Sequence, residues 1–193
     1  MDIRKALQAE HSKRNTTAIA EYIGGDPKRF AELMKIFFEG EYRPTQCAAW
    51  PMSVCVEKHP QLILPYLNKL VDQLERRDIH NAVKRNTLRL LQFIEIPKKL
   101  HGKIYSICVD LIDDISEPVA VRAFALTVAI KIAGKEPALL DELRLIAKAH
   151  LPDTSVAFHK RAREILDLKI PVARSTTTLF YGITAKRIYD QHG

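Results

Sequence analysis

Four prolines recur along this chain, at positions 27, 60, 97 and 137, with spacings of 33, 37 and 40 residues. Each is followed three residues later by a large apolar side chain: Phe30, Ile63, Leu100 and Leu140. Proline is tolerated in the first turn of a helix because its missing N–H has no partner there, and its fixed φ already suits the helix. A proline with an apolar residue one turn further on therefore predicts a helix start. Its recurrence predicts a series of similar units, and periods of this size belong to helical-hairpin repeats. A hairpin of that size carries an apolar face it cannot bury alone, so neighbouring units must stack.

Between these marks apolar residues recur with a period near 3.6, and no stretch alternates as a strand would. Over residues 60–76, Leu62, Ile63, Tyr66, Leu67, Leu70, Val71 and Leu74 make a broad stripe, suited to a helix sandwiched between neighbours. Residues 97–113 carry Leu100, Ile104, Ile107, Cys108, Leu111 and Ile112 in the same way. Residues 120–133 are apolar on nearly every side, which predicts the most deeply placed helix. Leu67, Leu91, Ile107, Val128 and Ile165 are expected to be buried between hairpins.

The expected organisation is one all-α domain over residues 1–169, with hairpins at about 27–59, 60–96, 97–136 and 137–169. Residues 1–26 read as an N-terminal cap, with Asn15 as its N-cap residue and Gly24-Gly25 as its stop. Ile170-Pro171 breaks the pattern and the run Arg174, Ser175, Thr176, Thr177, Thr178 is a poor helix former, so residues 170–193 read as a tail or a C-terminal cap.

The second helices also repeat. Ala82-Val83-Lys84 matches Ala120-Val121-Arg122, 38 residues on. The third unit runs Asp114, Ile115, Ser116, Glu117, Pro118, Val119, Ala120, Val121, Arg122, then Ala125 and Leu126. This run resembles the HEAT-repeat pattern, in which an Asp ends the inter-helix turn and a Val-Arg pair opens the second helix. The fourth unit is looser, with Pro152-Asp153 before residues 156–161, and the first has no such Asp, residues 41–49 filling the place. The resemblance covers about residues 27–169 and extends to a family of small, uncharacterised bacterial HEAT-like proteins. It implies a right-handed α-α solenoid, a HEAT/armadillo-like superhelix of about four helical hairpins with N- and C-terminal capping segments. It also implies that second helices line the concave surface. Such a likeness carries a fold and not an activity.

Most chemistry is excluded by what the chain lacks. There is no P-loop, GxGxxG, HExxH or GxSxG sequence, and Gly24-Gly25 is the sole glycine pair. No catalytic residue, cofactor or metal is expected. The seven histidines are scattered, with His59, His101 and His150 near helix ends, where capping or solvation suits them. Asp110, Asp113, Asp114 and Glu117 cluster at an inter-helix turn, where helix termination explains them better than a metal. Cys47 and Cys55 lie eight residues apart on one predicted helix, about 12 Å and too far to bridge. With Cys108 in an apolar run, the three thiols form no disulfide framework or zinc site. The charged N-terminus has no secretory h-region and the apolar run 123–130 is too short to cross a bilayer, so a cytoplasmic protein is expected.

The charge pattern is what points to a partner. A net charge of +7 and a pI near 9.3 suit an anionic one. On the helix expected over 80–95, Val83, Thr87, Leu90, Leu91 and Ile94 face the core. Arg85, Arg89 and Gln92 then share the opposite side, with Lys84 beside them. Arg122 follows on the next second helix, and Lys160, Arg161 and Arg163 on the last. Stacking would gather Lys84, Arg85, Arg89, Arg122, Lys160 and Arg163 into one basic stripe, where arginine forks suit phosphates or carboxylates. For Arg122 the preferred alternative is a structural pairing with turn carboxylates such as Asp114. Trp50, followed by Pro51 within a helix that should kink or restart there, is expected to fill core space, although an exposed Trp in a groove could stack on a base.

These features favour a non-catalytic scaffold holding a protein partner on a basic concave face. The alternative is nucleic-acid binding, similar in architecture and charge to the HEAT-like DNA glycosylases of alkylation repair, though no catalytic Asp with flanking aromatics can be matched here. A remote third reading is an adenylosuccinate-lyase-type enzyme, of whose Ser-rich mobile loop residues 175–178 are a poor echo.

Overall fold

The structure is a computed structural model that describes residues 1–39, 42–76, 78–134, 136–151 and 156–167. Those residues form an all-α protein with no strand. The α-helices are α1 (Ile3–Ala9), α2 (Lys13–Ile23), α3 (Pro27–Phe38), α4 (Tyr42–Lys58), α5 (Leu67–Leu74), α6 (Asn81–Leu91), α7 (His101–Asp113), α8 (Val119–Ala133), α9 (Pro137–His150) and α10 (Val156–Leu166). Among the described residues no helix is long and apolar enough to cross a membrane.

The recurring prolines do open helical segments, in two ways. Pro27 and Pro137 stand at the starts of α3 and α9. Pro60 opens a 3-10 segment, Pro60–Tyr66, before α5 begins. The single helix expected over 60–76 is divided because Pro65 lacks the N–H that an i→i−4 bond needs. Pro97 caps the short 3-10 turn Lys98–Leu100 from outside, its carbonyl accepting from the Leu100 N–H at 2.9 Å, before α7.

Local chemistry sets the other ends. Ser12, not Asn15, is the N-cap of α2: its hydroxyl accepts from the Asn15 N–H at 3.1 Å. Asn15 lies inside α2 and its side-chain amide donates to the carbonyls of Ala6 and Glu10, at 2.7 and 2.6 Å. It thereby satisfies acceptors that α1 leaves orphaned at its C-terminal end. Gly24 ends α2 with φ of 52°, which favours a residue without Cβ. α4 runs through Pro51 without restarting.

Two layers result. α2, α4, α6, α8 and α10 pack consecutively side by side. Against them lie α3 on α4, α5 on α6, α7 on α8 and α9 on α10. One continuous apolar cluster fills the space between, from Ile3 and Ile19 through Phe30, Leu70 and Leu126 to Ile165. Leu67, Leu91, Ile107, Val128 and Ile165 are all buried, as their stripes predict. α8 buries nine of its residues, in keeping with its all-round apolar sequence. The tail or cap expected over 170–193, with Lys186 and Arg187, lies outside the described residues.

Candidate binding face

The outward side of the layer α2–α4–α6–α8–α10 carries two cavities, and side-chain spacing on each helix decides what lines them. On α6 the buried set is Val83, Lys84, Asn86, Thr87, Leu88, Leu90 and Leu91. The outer stripe is Asn81, Arg85 and Arg89, continued by Gln92 just past the end of α6, at intervals of four, four and three residues. On α4 the corresponding stripe is Trp50, Val54 and Glu57, and α2 adds Lys13 and Thr17.

The larger cavity, about 390 Å³, lies where α2, α4 and α6 meet. Trp50 forms part of its wall, with Lys13, Lys58, Glu57 and Arg89 around it. Arg89 reaches from α6 to α4 and donates to Glu57 Oε2 at 2.8 Å. Lys13, Lys58 and Arg89 against Glu57 make three cations to one carboxylate at this cavity. Trp50 is half-buried and meets His11 edge-on, ring centroids 5.7 Å apart. It is therefore not the core residue expected: the Ala48, Ala49 and Met52 positions of α4 face the core, and Trp50 falls on the other side of the helix. Its place is fixed locally. Ser53 Oγ donates to the Trp50 carbonyl at 2.9 Å and lies 3.3 Å from Asn86 Oδ1 on α6.

The smaller cavity, about 240 Å³, is lined by Gln92, Thr127, Lys160, Arg161 and Glu164, from α6, α8 and α10. Arg161 Nε donates to Thr127 Oγ1 at 2.8 Å, and its guanidinium stands over the Phe124 ring at 5.3 Å. Lys131 reaches from the last turn of α8 to the end of α6. Its ammonium donates to the carbonyls of Leu91, Gln92 and Ile94, at 3.3, 2.8 and 2.6 Å. These carbonyls lie at and just past the end of α6, where intrahelical donors run out. Burial holds the Lys131 ammonium below the usual lysine range.

The structure divides the six expected contact residues. Arg85 is exposed one turn before Arg89 and takes part in none of the ion pairs among the described residues. Arg89 lines the larger cavity and Lys160 the smaller. Arg163 is exposed on α10 but sits about 160° around the helix from Arg161 and lines neither cavity.

Lys84 and Arg122 must be withdrawn from the stripe, because both are buried. Lys84 pairs with Glu117 of the α7–α8 turn. Arg122 donates through Nε to the Ile112 carbonyl at 2.9 Å, rather than to the expected Asp114, and lies 5.5 Å from the Phe158 ring. Asp114 Oδ1 instead accepts from the Ser116 N–H and hydroxyl, closing the turn. The other turn carboxylates diverge, Asp113 meeting His150 Nε2 at 2.8 Å. Glu57 and Lys58 line the larger cavity without having been singled out in the sequence. Their signal was available only as equal places on the outer stripes of successive second helices.

The three thiols are placed out of reach. Burial raises the thiols of Cys47, Cys55 and Cys108, that of Cys55 to about 12. All three are free and buried, hence protonated and inert at neutral pH.

The HEAT repeat domain family matches residues 3–169. The chain belongs to that family. The match reaches back over α1 and α2, so the HEAT repeat domain takes in the segment expected as an N-terminal cap. No curated protein and no solved structure matches the chain.

Proposed function

We propose that this HEAT repeat domain is a right-handed α-α solenoid of four hairpins behind an N-terminal helical pair, and a non-catalytic scaffold. Its concave face, built from α2, α4, α6, α8 and α10, holds an anionic partner. One observation carries the reading: five consecutively packed helices turn one face outward, and both cavities on that face are rimmed by cations. Repeat arrays use such extended surfaces for binding. Arg85 and Lys160 add charge that no ion pair among the described residues offsets. The buried free thiols suit the reducing cytoplasm.

The test uses two labelled polyanions of different chemistry, a mixed-sequence oligonucleotide and a polyglutamate peptide, at low salt. At least one should bind, with affinity falling steeply as salt rises. The triple reversal Arg85→Glu, Arg89→Glu, Lys160→Glu should weaken it at least about tenfold, the loss of one strong charged contact. Failure of both probes to bind, or binding indifferent to the triple reversal, would remove this face as the site.

A further inference from the structure

We infer that the cavity beside Trp50 is a nucleotide site, which stacks one base of a single-stranded nucleic acid on the indole while Lys13, Lys58 and Arg89 hold the flanking phosphates. This deepens the scaffold reading and rests on it.

Three observations converge on that ligand. The first is the indole. Trp50 is half-buried at the wall of a cavity while the large side chains Phe30, Phe37 and Phe158 are wholly buried. Keeping a large aromatic partly in water forgoes burial that other positions on α4 obtain, and such a surface suits a planar apolar ligand. The second is charge. Three cations line the same cavity as that ring, and Arg89 is already oriented by its bond to Glu57. A flat ring beside cations matches a base with its phosphates, whereas an acidic peptide supplies the charge without a flat ring. The third is size. About 390 Å³ lies at the low end of small-ligand sites and admits a base that has left its stack. A base within a duplex keeps its faces covered, so the site selects single strands. Glu57, 41% exposed, adds an acceptor for an exocyclic amine.

The platform is held in place before any ligand arrives. Ser53 ties the Trp50 carbonyl to its own turn and lies against Asn86. The Asn86 amide donates in turn to the Ala82 carbonyl at 2.8 Å. α4 and α6 thus hold Trp50 and Arg89 in fixed relation, which lowers the ordering cost of binding.

Trp50 is the single tryptophan of the chain, so its emission reports on this cavity alone. The probes are single strands of about ten nucleotides, a length within the usual span of such sites, together with an abasic sugar-phosphate strand of equal length, the matching duplex and polyglutamate. Single strands should quench Trp50 and bind roughly 5- to 150-fold tighter than the abasic strand, the range given by one base–aromatic stack. Trp50→Ala should lose that advantage, while Trp50→Phe, which keeps a ring, should retain part of it. Polyanions that all bind alike, with no quenching and no effect of Trp50→Ala, would overturn the nucleotide site and leave the scaffold standing. Absence of binding by every polyanion would sink both.

Discussion

Lys84 and Glu117 are each only 9% exposed at their side chains, and Glu117 Oε2 has no hydrogen-bond partner among the described residues. A buried pair is costly to assemble but costlier to break, because the survivor is left charged in a poor solvent. Lys84→Met alone should therefore destabilise by about 3–5 kcal/mol. The double change Lys84→Met, Glu117→Leu should recover much of that loss. Urea unfolding of the single and double variants measures the coupling, and a double variant no better than either single would show that the pair is not the cause. The thiols make a second residue-scale prediction. Their pKa values are raised by burial, so above about pH 8.5 the unfolded chain releases protons that the folded one keeps. Folded protein then binds more protons than unfolded, and stability falls as pH rises past that point. Comparing urea midpoints at neutral and alkaline pH checks the sign. Replacing Cys108 by Ala should flatten the slope.

At the scale of elements, α6 connects the core to the outward face. Its inner side packs Leu88, Leu90 and Leu91 at 0% exposure, and its outer side presents Arg85 and Arg89. Leu91→Ala should cost about 2–5 kcal/mol, because the lost transfer energy is joined by a cavity that tight neighbours cannot fill. The end of the same helix depends on α8. Lys131→Met removes the donor to three carbonyls, and should cost about 1 kcal/mol of stability while speeding amide exchange in the last turn of α6. Unchanged exchange there would mean that solvent serves those carbonyls equally well.

At the scale of the whole molecule, each even-numbered helix from α2 to α8 touches the next, so stability should be distributed along the array. Inner helices have neighbours on both sides while α1 and α10 stand nearer the ends. Hydrogen exchange should be slowest in α4, α6 and α8 and fastest in α1 and α10. Uniform protection from end to end would point to a single cooperative globule instead.

The proline periodicity and the 3.6-residue stripes were enough to establish an all-α chain and most of its buried apolar positions. Those properties follow from backbone sterics and from where apolar side chains lie around one helix, both local. Pro65 and Pro97 moved the α-helix starts from 60 to 67 and from 97 to 101, because the competition between 3-10 and α bonding depends on single N–H groups, which the period does not resolve. The site was less legible. Arg85, Arg89 and Lys160 carry their outward placement in their spacing from Val83, Leu90, Ala162 and other buried neighbours. Lys84 and Arg122 carry the same charge but stand at angles where α6, α7 and α8 converge, so packing turned them into internal donors. Trp50 went the other way: burial is the usual fate of its type, yet its angle on α4 set it at the cavity wall. The sequence by itself determined which residues form helices and which face of each helix is apolar, since both depend on neighbours within a few turns. Which cations remain at the surface, and which meet Trp50, was decided only by tertiary structure, because burial and ion pairing depend on what residues distant in sequence bring alongside.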